Sequence, residues 1–285
     1  MYGIKSFEIR KISSKNSITM PDLVVIEEPL EIRLGHGEAY NRQQKNIFVT
    51  MRTPTGHDFE LALGFLFSEN IVTTFQDILS IHYCKDAGTQ EQQNIVRVEL
   101  KPEVLFDFNR FERHFYATSS CGICGKASIE SIQIQCSILP KNDCRVTPEF
   151  IQSLPKIINE KQIFFQHTGG LHAAAIFSPI LRGGAEGRLV FLREDIGRHN
   201  ALDKVIGAAF QQDLLPFTGS VLLMSSRASF ELIQKAAMAR ISIMVCIGSP
   251  SSLAIDTARE LGMTLIGFLR EETFNIYSGE ERIIA

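Results

Sequence analysis

Two thiols stand three positions apart in Ser119-Ser120-Cys121-Gly122-Ile123-Cys124-Gly125-Lys126, with a glycine after each and a lysine behind them. The thiolate is the reactive form of cysteine, and a neighbouring cation favours it. Three chemistries use such a pair. A structural zinc site needs four ligands, but Cys136 and Cys144 are eight apart and His114, His167 and His172 are scattered. A thioredoxin-like dithiol caps a helix after a strand, whereas the stretch before Cys121 is short and polar and Gly122 and Gly125 loosen the turn. A sulfur-carrying thiol needs reach and access, which flanking glycines supply, because its sulfur must visit a donor and then an acceptor. Cys84, Cys136, Cys144 and Cys246 are uneven in spacing and read as reduced, buried or incidental thiols.

A second set of candidate groups lies in three loops: Arg193-Glu194-Asp195-Ile196-Gly197-Arg198-His199-Asn200, Ser225-Ser226-Arg227-Ala228-Ser229, and Gly248-Ser249-Pro250-Ser251-Ser252. Glycine and small hydroxyl residues let a phosphate approach the backbone, and Arg198 and Arg227 supply charge-assisted contacts. One alternative is that Ser229 and Ser252 cap helices while the arginines pair with Asp195, Asp203 or Glu231. Three such loops on one edge favour a phosphorylated or nucleotide ligand. His199, beside Asn200 at a helix start, offers a neutral imidazole as donor. His172, after Thr168-Gly169-Gly170-Leu171, stands at a strand start; taken singly, either histidine also suits a buried structural role.

The elements that position these groups fall into two halves. The first is α+β: strand-like runs at Leu23–Leu34, Asn46–Arg52 and Asn94–Leu100 surround a helix from Asp58 to Ser68. Asp58 suits the N-cap of that helix, whose apolar face is Phe59, Leu63, Leu66 and Phe67. Periodicity collapses between about residues 110 and 146, so the domains are placed at 1–118 and 119–285 with the boundary inside that window. Beyond it, Leu171–Phe177 and Arg188–Arg193 read as a hairpin. Helices at His199–Phe210, Phe230–Arg240 and Ser252–Leu261 then alternate with strands at Ser220–Met224, Ile241–Ile247 and Met263–Phe268. That succession predicts parallel crossovers in a mixed sheet with helices on both faces, so that strand ends and helix starts share the edge carrying the three loops.

The 285 residues carry 29 Lys and Arg against 32 Asp and Glu, a net charge of -3, so there is no general basic surplus for a nucleic-acid backbone and any anion site must be local. No apolar run reaches transmembrane length, and Met1 to Lys15 lacks a signal-peptide stretch. A cytoplasmic location is expected.

In combination, several segments resemble the formate dehydrogenase accessory sulfurtransferase family, also called FdhD. They are Glu27-Glu-Pro-Leu30, Met51-Arg-Thr-Pro54, Glu60-Leu-Ala-Leu-Gly-Phe65, Cys121-Gly-Ile-Cys124-Gly, Thr168-Gly-Gly-Leu-His172-Ala-Ala-Ala, Glu194-Asp-Ile-Gly-Arg-His-Asn-Ala-Leu-Asp-Lys204, Ser225-Ser-Arg-Ala-Ser229 and Gly267-Phe268. The resemblance implies a cytidine-deaminase-like second domain, a homodimer, and a carrier that takes persulfide sulfur from a cysteine desulfurase. The sulfur goes to the molybdenum cofactor, in its bis(molybdopterin guanine dinucleotide) form, for the catalytic subunit of formate dehydrogenase. Cys121 would carry the persulfide and Cys124 assist.

Phe268-Leu269-Arg270-Glu271-Glu272-Thr273 matches the family's cofactor segment, although Glu271 and Glu272 against Arg270 alone make it more acidic than a phosphate-facing loop. His172, Arg198, His199, Ser225, Arg227 and Ser229 complete the expected cofactor-binding set. Zinc is not expected: deaminases need H-x-E and P-C-x-x-C, whereas Ala173 and Ala174 follow His172 and Ser225-Ser226-Arg227 precedes the helix where a cysteine pair would lie. An alternative class is a cofactor-binding chaperone without enzymatic activity, in which the cysteines are dispensable.

Overall fold

The computed structural model describes residues 3–84, 93–104, 139, 144–178 and 187–284. Three sheets organise them. Strands β1 (Ile4–Ile12) and β2 (Ser17–Val25) form an antiparallel ribbon. Strands β3 (Glu28–His36), β4 (Gln43–Arg52), β5 (Ile78–Tyr83) and β6 (Ile95–Leu100) form a sheet in the order β4-β3-β6-β5. Alternation puts Leu30, Ile32 and Leu34 of β3 and Val96, Val98 and Leu100 of β6 on its inner face, where helix α1 (Asp58–Ser68) covers them.

The third sheet has the order β12-β11-β10-β9-β7-β8. Its strands are β7 (His172–Ser178), β8 (Arg188–Asp195), β9 (Val221–Met224), β10 (Ile243–Cys246), β11 (Thr264–Gly267) and β12 (Asn275–Ser278). β9, β10 and β11 are mutually parallel, while β7 runs antiparallel to both β8 and β9. Helices α4 (Arg198–Gln211), α5 (Phe230–Met238) and α6 (Ser252–Glu260) pack on the face formed by Ala174, Ile176, Leu222, Met224, Met244, Cys246 and Leu265. Helix α2 (Pro148–Asn159) packs on the face formed by Ala175, Phe177, Val221, Leu223, Ile243, Val245 and Ile266; the short α3 (Ile163–Thr168) follows it. The mixed sheet with helices on both faces is as the sequence predicts. Thr147 caps α2, its Oγ1 accepting from Phe150 N–H at 3.3 Å, and Pro148 occupies the first turn, where its missing N–H costs nothing.

Several expectations need correction. The run Leu23–Leu34 is two strands of different sheets, broken at Ile26 and Glu27; strand-forming residues on both sides of the break conceal the change of partner. Asp58 does not cap α1: His57 holds that position, and the buried Asp58 carboxylate instead receives the Arg52 guanidinium at 3.0–3.2 Å. Nor does α1 have one apolar face. Leu61, Ala62, Leu63, Phe65 and Leu66 are all buried because the helix is sandwiched between its own sheet and α4. Of the boundary window, residues 110–138 and 140–143 lie outside the described residues.

The α1 and α4 crossing is backbone against backbone. A Cβ on Gly64 would sit 1.8 Å from the Asp203 carbonyl oxygen, and one on Gly207 1.8 Å from the Glu60 carbonyl oxygen. Only residues without a side chain fit at this crossing. Gly207→Ala is therefore expected to lower stability by about 1–3 kcal/mol, the usual cost of overpacking, read as a fall in the midpoint of urea unfolding; an unchanged midpoint would refute the contact.

Candidate functional site

Because β8 and β9 both run antiparallel to β7, they are parallel to each other and to β10 and β11. Their carboxyl ends therefore share one edge, and the start of β7 lies there too. Ser225 locks that junction: its Oγ accepts from Ala173 N–H at 2.8 Å, and its N–H donates to the Ala173 carbonyl at 2.9 Å. The loops beyond the strands are stitched in series. Gly248 N–H donates to Ser226, Ala228 N–H to Ser249, Ser251 N–H to Ala228 and Phe268 N–H to Gly248, each at 3.0–3.2 Å. Ser251, not Ser252, caps α6 by accepting from Ala254 N–H.

The charged loop after β8 is mostly structural, and this was not legible from residue type. Lys204 is fully buried and its Nζ donates to Asp195 at 2.6 Å, to the Thr53 and Glu194 carbonyls, and to Thr55 Oγ1. Asp195 also accepts from the N–H groups of Thr53 and Gly197 and from the Asn200 amide. Asn200 in turn donates to the Met51 carbonyl. Arg193 grips Glu60 of α1 through two nitrogens. Lys235 holds Asp203 at 2.9 Å, and Ser68 donates to the same carboxylate; burial pushes the Asp203 carboxyl up even so. The signal available beforehand was a run of charges wedged between a buried strand and a helix with few exposed positions.

Those pairings overturn the alternative in which Asp195, Asp203 or Glu231 neutralises the arginines. Asp195 and Asp203 serve lysines, and Glu231 accepts from His199 Nε2 at 3.0 Å. Arg227 is exposed. Arg198 begins α4 with its Nε buried and without a hydrogen-bond partner among the described residues. Ser229 sits at the N-cap of α5, yet its side chain makes no cap bond there; its Oγ lies 3.2 Å from His199 Nε2.

Burial, reinforced by Arg198, Lys235 and His172, drives the His199 pKa down to about 3. The ring is therefore neutral, so it donates from Nε2 to the Glu231 carboxylate and keeps Nδ1 as an acceptor. His172 is lowered as well, first by burial and then by Arg198.

Six of the expected binding residues line two clefts, while Arg198, Arg227, Ser229, Phe268, Glu272 and Thr273 line neither. One, of about 580 Å³, takes in His172, Ser225, Leu269, Arg270 and Glu271 together with Gly169, Gly170 and Phe165. The other, of about 470 Å³, lies between the halves and takes in His199, Asn200, Glu231 and Lys235 against Phe48 and Phe65. In the segment 268–273, Phe268 is exposed in the left-handed region at φ 52°, Leu269 is buried in the core beneath α2, and Glu271, Glu272 and Thr273 are exposed. Arg270 spends one guanidinium nitrogen on the carbonyls of Ile247 and Leu269, both at 2.8 Å. Cys121 and Cys124 lie outside the described residues. Among the described residues, no helix is long and apolar enough to cross a membrane, and no group of three His, Cys, Asp or Glu is placed to hold a metal.

The sequence model of the FdhD/NarQ family matches residues 25–284. Over 269 residues the chain is 46% identical to the sulfur carrier protein FdhD of Streptomyces coelicolor, covering 93% of this chain and 90% of that one. Over 288 residues it is 42% identical to the protein of that name from Mycobacterium tuberculosis, covering 99% of each. The fold is shared with a solved structure assigned as a formate dehydrogenase accessory protein from Desulfotalea psychrophila, at TM-score 0.73 and 22% identity over 99% of this chain and 100% of that one.

The His199 environment sets a pH dependence. As pH falls from about 6.5 towards 3, the unfolded chain takes up a proton at this ring and the folded chain does not, so stability is lost across that window and is complete above it. His199→Gln is expected to flatten the fall in urea midpoint between pH 6.5 and 4. An imidazole signal from His199 that titrates near pH 6.5 would contradict the assignment.

Proposed function

The chain belongs to the FdhD/NarQ family, and from that premise we propose that it is a sulfur carrier acting in the cytoplasm on behalf of formate dehydrogenase. The Cys121 thiolate attacks the outer sulfur of a cysteine desulfurase persulfide; the S–S bond breaks, the desulfurase thiolate leaves, and the sulfur rides on Cys121. Attack by the Cys124 thiolate on the inner sulfur then releases hydrosulfide to the acceptor and leaves a Cys121–Cys124 disulfide, which an external thiol reductant reopens. The acceptor is the molybdenum cofactor as bis(molybdopterin guanine dinucleotide), and the recipient enzyme is the formate dehydrogenase catalytic subunit.

The observation that carries this reading is the parallel-strand edge. Helix α4 starts there with Arg198 Nε unpartnered among the described residues, beside two histidines held neutral, on loops tied to one another by backbone hydrogen bonds. A buried, unspent guanidinium donor at a helix start suits a phosphate oxygen. Arg227, Ser229, His172, Ser225 and the backbone of 268–273 surround the same edge, and the 580 Å³ cleft has room for one nucleotide-sized portion of the ligand.

Three measurements test the reading. Incubated with a cysteine desulfurase and cysteine, the protein is expected to gain one sulfur atom by mass spectrometry; Cys121→Ala is expected to gain none, and an undiminished adduct in that variant moves the role elsewhere. GDP, a fragment of the dinucleotide, is expected to bind, with Arg198→Ala weakening it about tenfold or more. No affinity for GDP in the unaltered protein sinks the cradle. Full cofactor transfer by a protein lacking both Cys121 and Cys124 would instead make it a chaperone without a carrier thiol.

A further inference from the structure

The alternation of β8 aims three consecutive residues at three other elements. Arg193 and Asp195 face one side of the sheet and hold Glu60 of α1 and Lys204 of α4. Glu194, between them, faces the other side and holds α3. It is buried, and its carboxylate is spent on backbone N–H groups: Oε1 accepts from Phe165 at 2.9 Å and Oε2 from Phe164 at 3.2 Å, with the buried Gln162 side chain as a further donor. Lys204 donates to the Glu194 backbone carbonyl at 3.3 Å and acts on the carboxylate through space. The residue opposite on β7 is Ala173, which carries no charge. Burial pushes the Glu194 carboxyl up even so.

The same two residues of α3 reach the cleft of about 580 Å³ through their carbonyls. The Phe165 carbonyl accepts from Gly169 N–H at 2.7 Å. The Phe164 carbonyl accepts from Thr168 Oγ1 at 2.8 Å, and that hydroxyl accepts from Gly170 N–H at 3.4 Å. Gly169, Gly170 and His172 line the cleft, together with Gln162 and Phe165. Two rails of hydrogen bonds thus run from one carboxylate to the cleft wall. A helix of six residues has too few internal bonds to hold its own place, and a buried carboxylate is tolerable only among donors; each needs the other. The far end of the wall is held separately, by the Ser225 lock on Ala173.

We propose that Glu194 is the positioning residue of this cleft: by fixing α3 it fixes Gly169, Gly170 and the entry to β7, and with them the affinity of the cleft for a nucleotide. The proposal rests on the reading of the cleft as a nucleotide site and adds to it a residue outside the cleft lining. Protonation takes one acceptor away from α3, so the wall loosens in acid.

The experiment is a calorimetric titration of the full chain with GDP. Glu194→Gln keeps one acceptor oxygen and turns an amide donor toward the second N–H; it is expected to weaken binding about fivefold or more. Thr168→Val, of the same shape and on one of the two rails, is expected to weaken binding as well. The double variant is expected to lose less than the two effects combined, because both changes cut one relay. Hydrogen exchange at the Phe164, Phe165 and Gly169 amides is expected to quicken in Glu194→Gln while exchange in β9 and β10 stays as in the parent. As pH falls from 7.5 to 5, the raised Glu194 carboxyl takes up a proton and the parent loses its advantage over Glu194→Gln; the terminal phosphate of GDP titrates alike in both proteins and cancels in the ratio of affinities. GDP bound equally by the parent and both single variants, unchanged exchange at the α3 amides, or an affinity ratio indifferent to pH each overturns the proposal and leaves the nucleotide reading standing. No binding by the unaltered chain overturns both.

Discussion

The structure depends on one buried ion pair. Lys204 of α4 and Asp195 at the end of β8 are both without solvent exposure, and both reach the segment after β4, Lys204 through the Thr53 carbonyl and Asp195 through the Thr53 N–H. Two charges withdrawn from water are tolerable only when each is fully hydrogen-bonded, and here the partners come from both halves of the chain. The pair is satisfied only when the halves are docked, so docking and electrostatic satisfaction are the same event. Removing one partner would leave the other charge stranded, a loss of about 3–5 kcal/mol.

The same network explains the geometry of the edge. Asp195 also holds the Gly197 N–H and Asn200 at the turn into α4, which fixes where Arg198 and His199 emerge. The groups fall into two sets. Asp195, Asn200, Asp203, Lys204 and Lys235 spend their hydrogen-bonding capacity inside the protein, whereas Arg198 Nε has no partner among the described residues. A motif that reads as uniform in the sequence thus divides into residues that hold the fold and an arginine donor left over at the start of α4.

Much of this was legible beforehand. The alternation of helix and strand from His199 to Phe268 follows from hydrophobic period alone, and the shared edge follows from parallel crossovers. Less was legible where burial contradicts residue type. Lys204 and Asp203 sit on a helix that is buried on nearly every side, and their charge argues for the surface until the second layer, α1, is placed over them. Asp58 looks like a cap because capping is the local role of that residue type, and it loses to Arg52, a partner six residues back on a neighbouring strand. The β1 and β2 ribbon was missed because its exposed apolar and charged residues carry no period until the register is known, and the serines of the edge loops looked interchangeable until backbone pairing singled out Ser225 and Ser251.

The crossing of Gly64 over Gly207 has a mechanical consequence. With carbonyls where side chains would be, the two helices have no clearance in which to roll or slide, and separating them uncovers Lys204. Among the described residues, the two halves consequently form a single stiff casting.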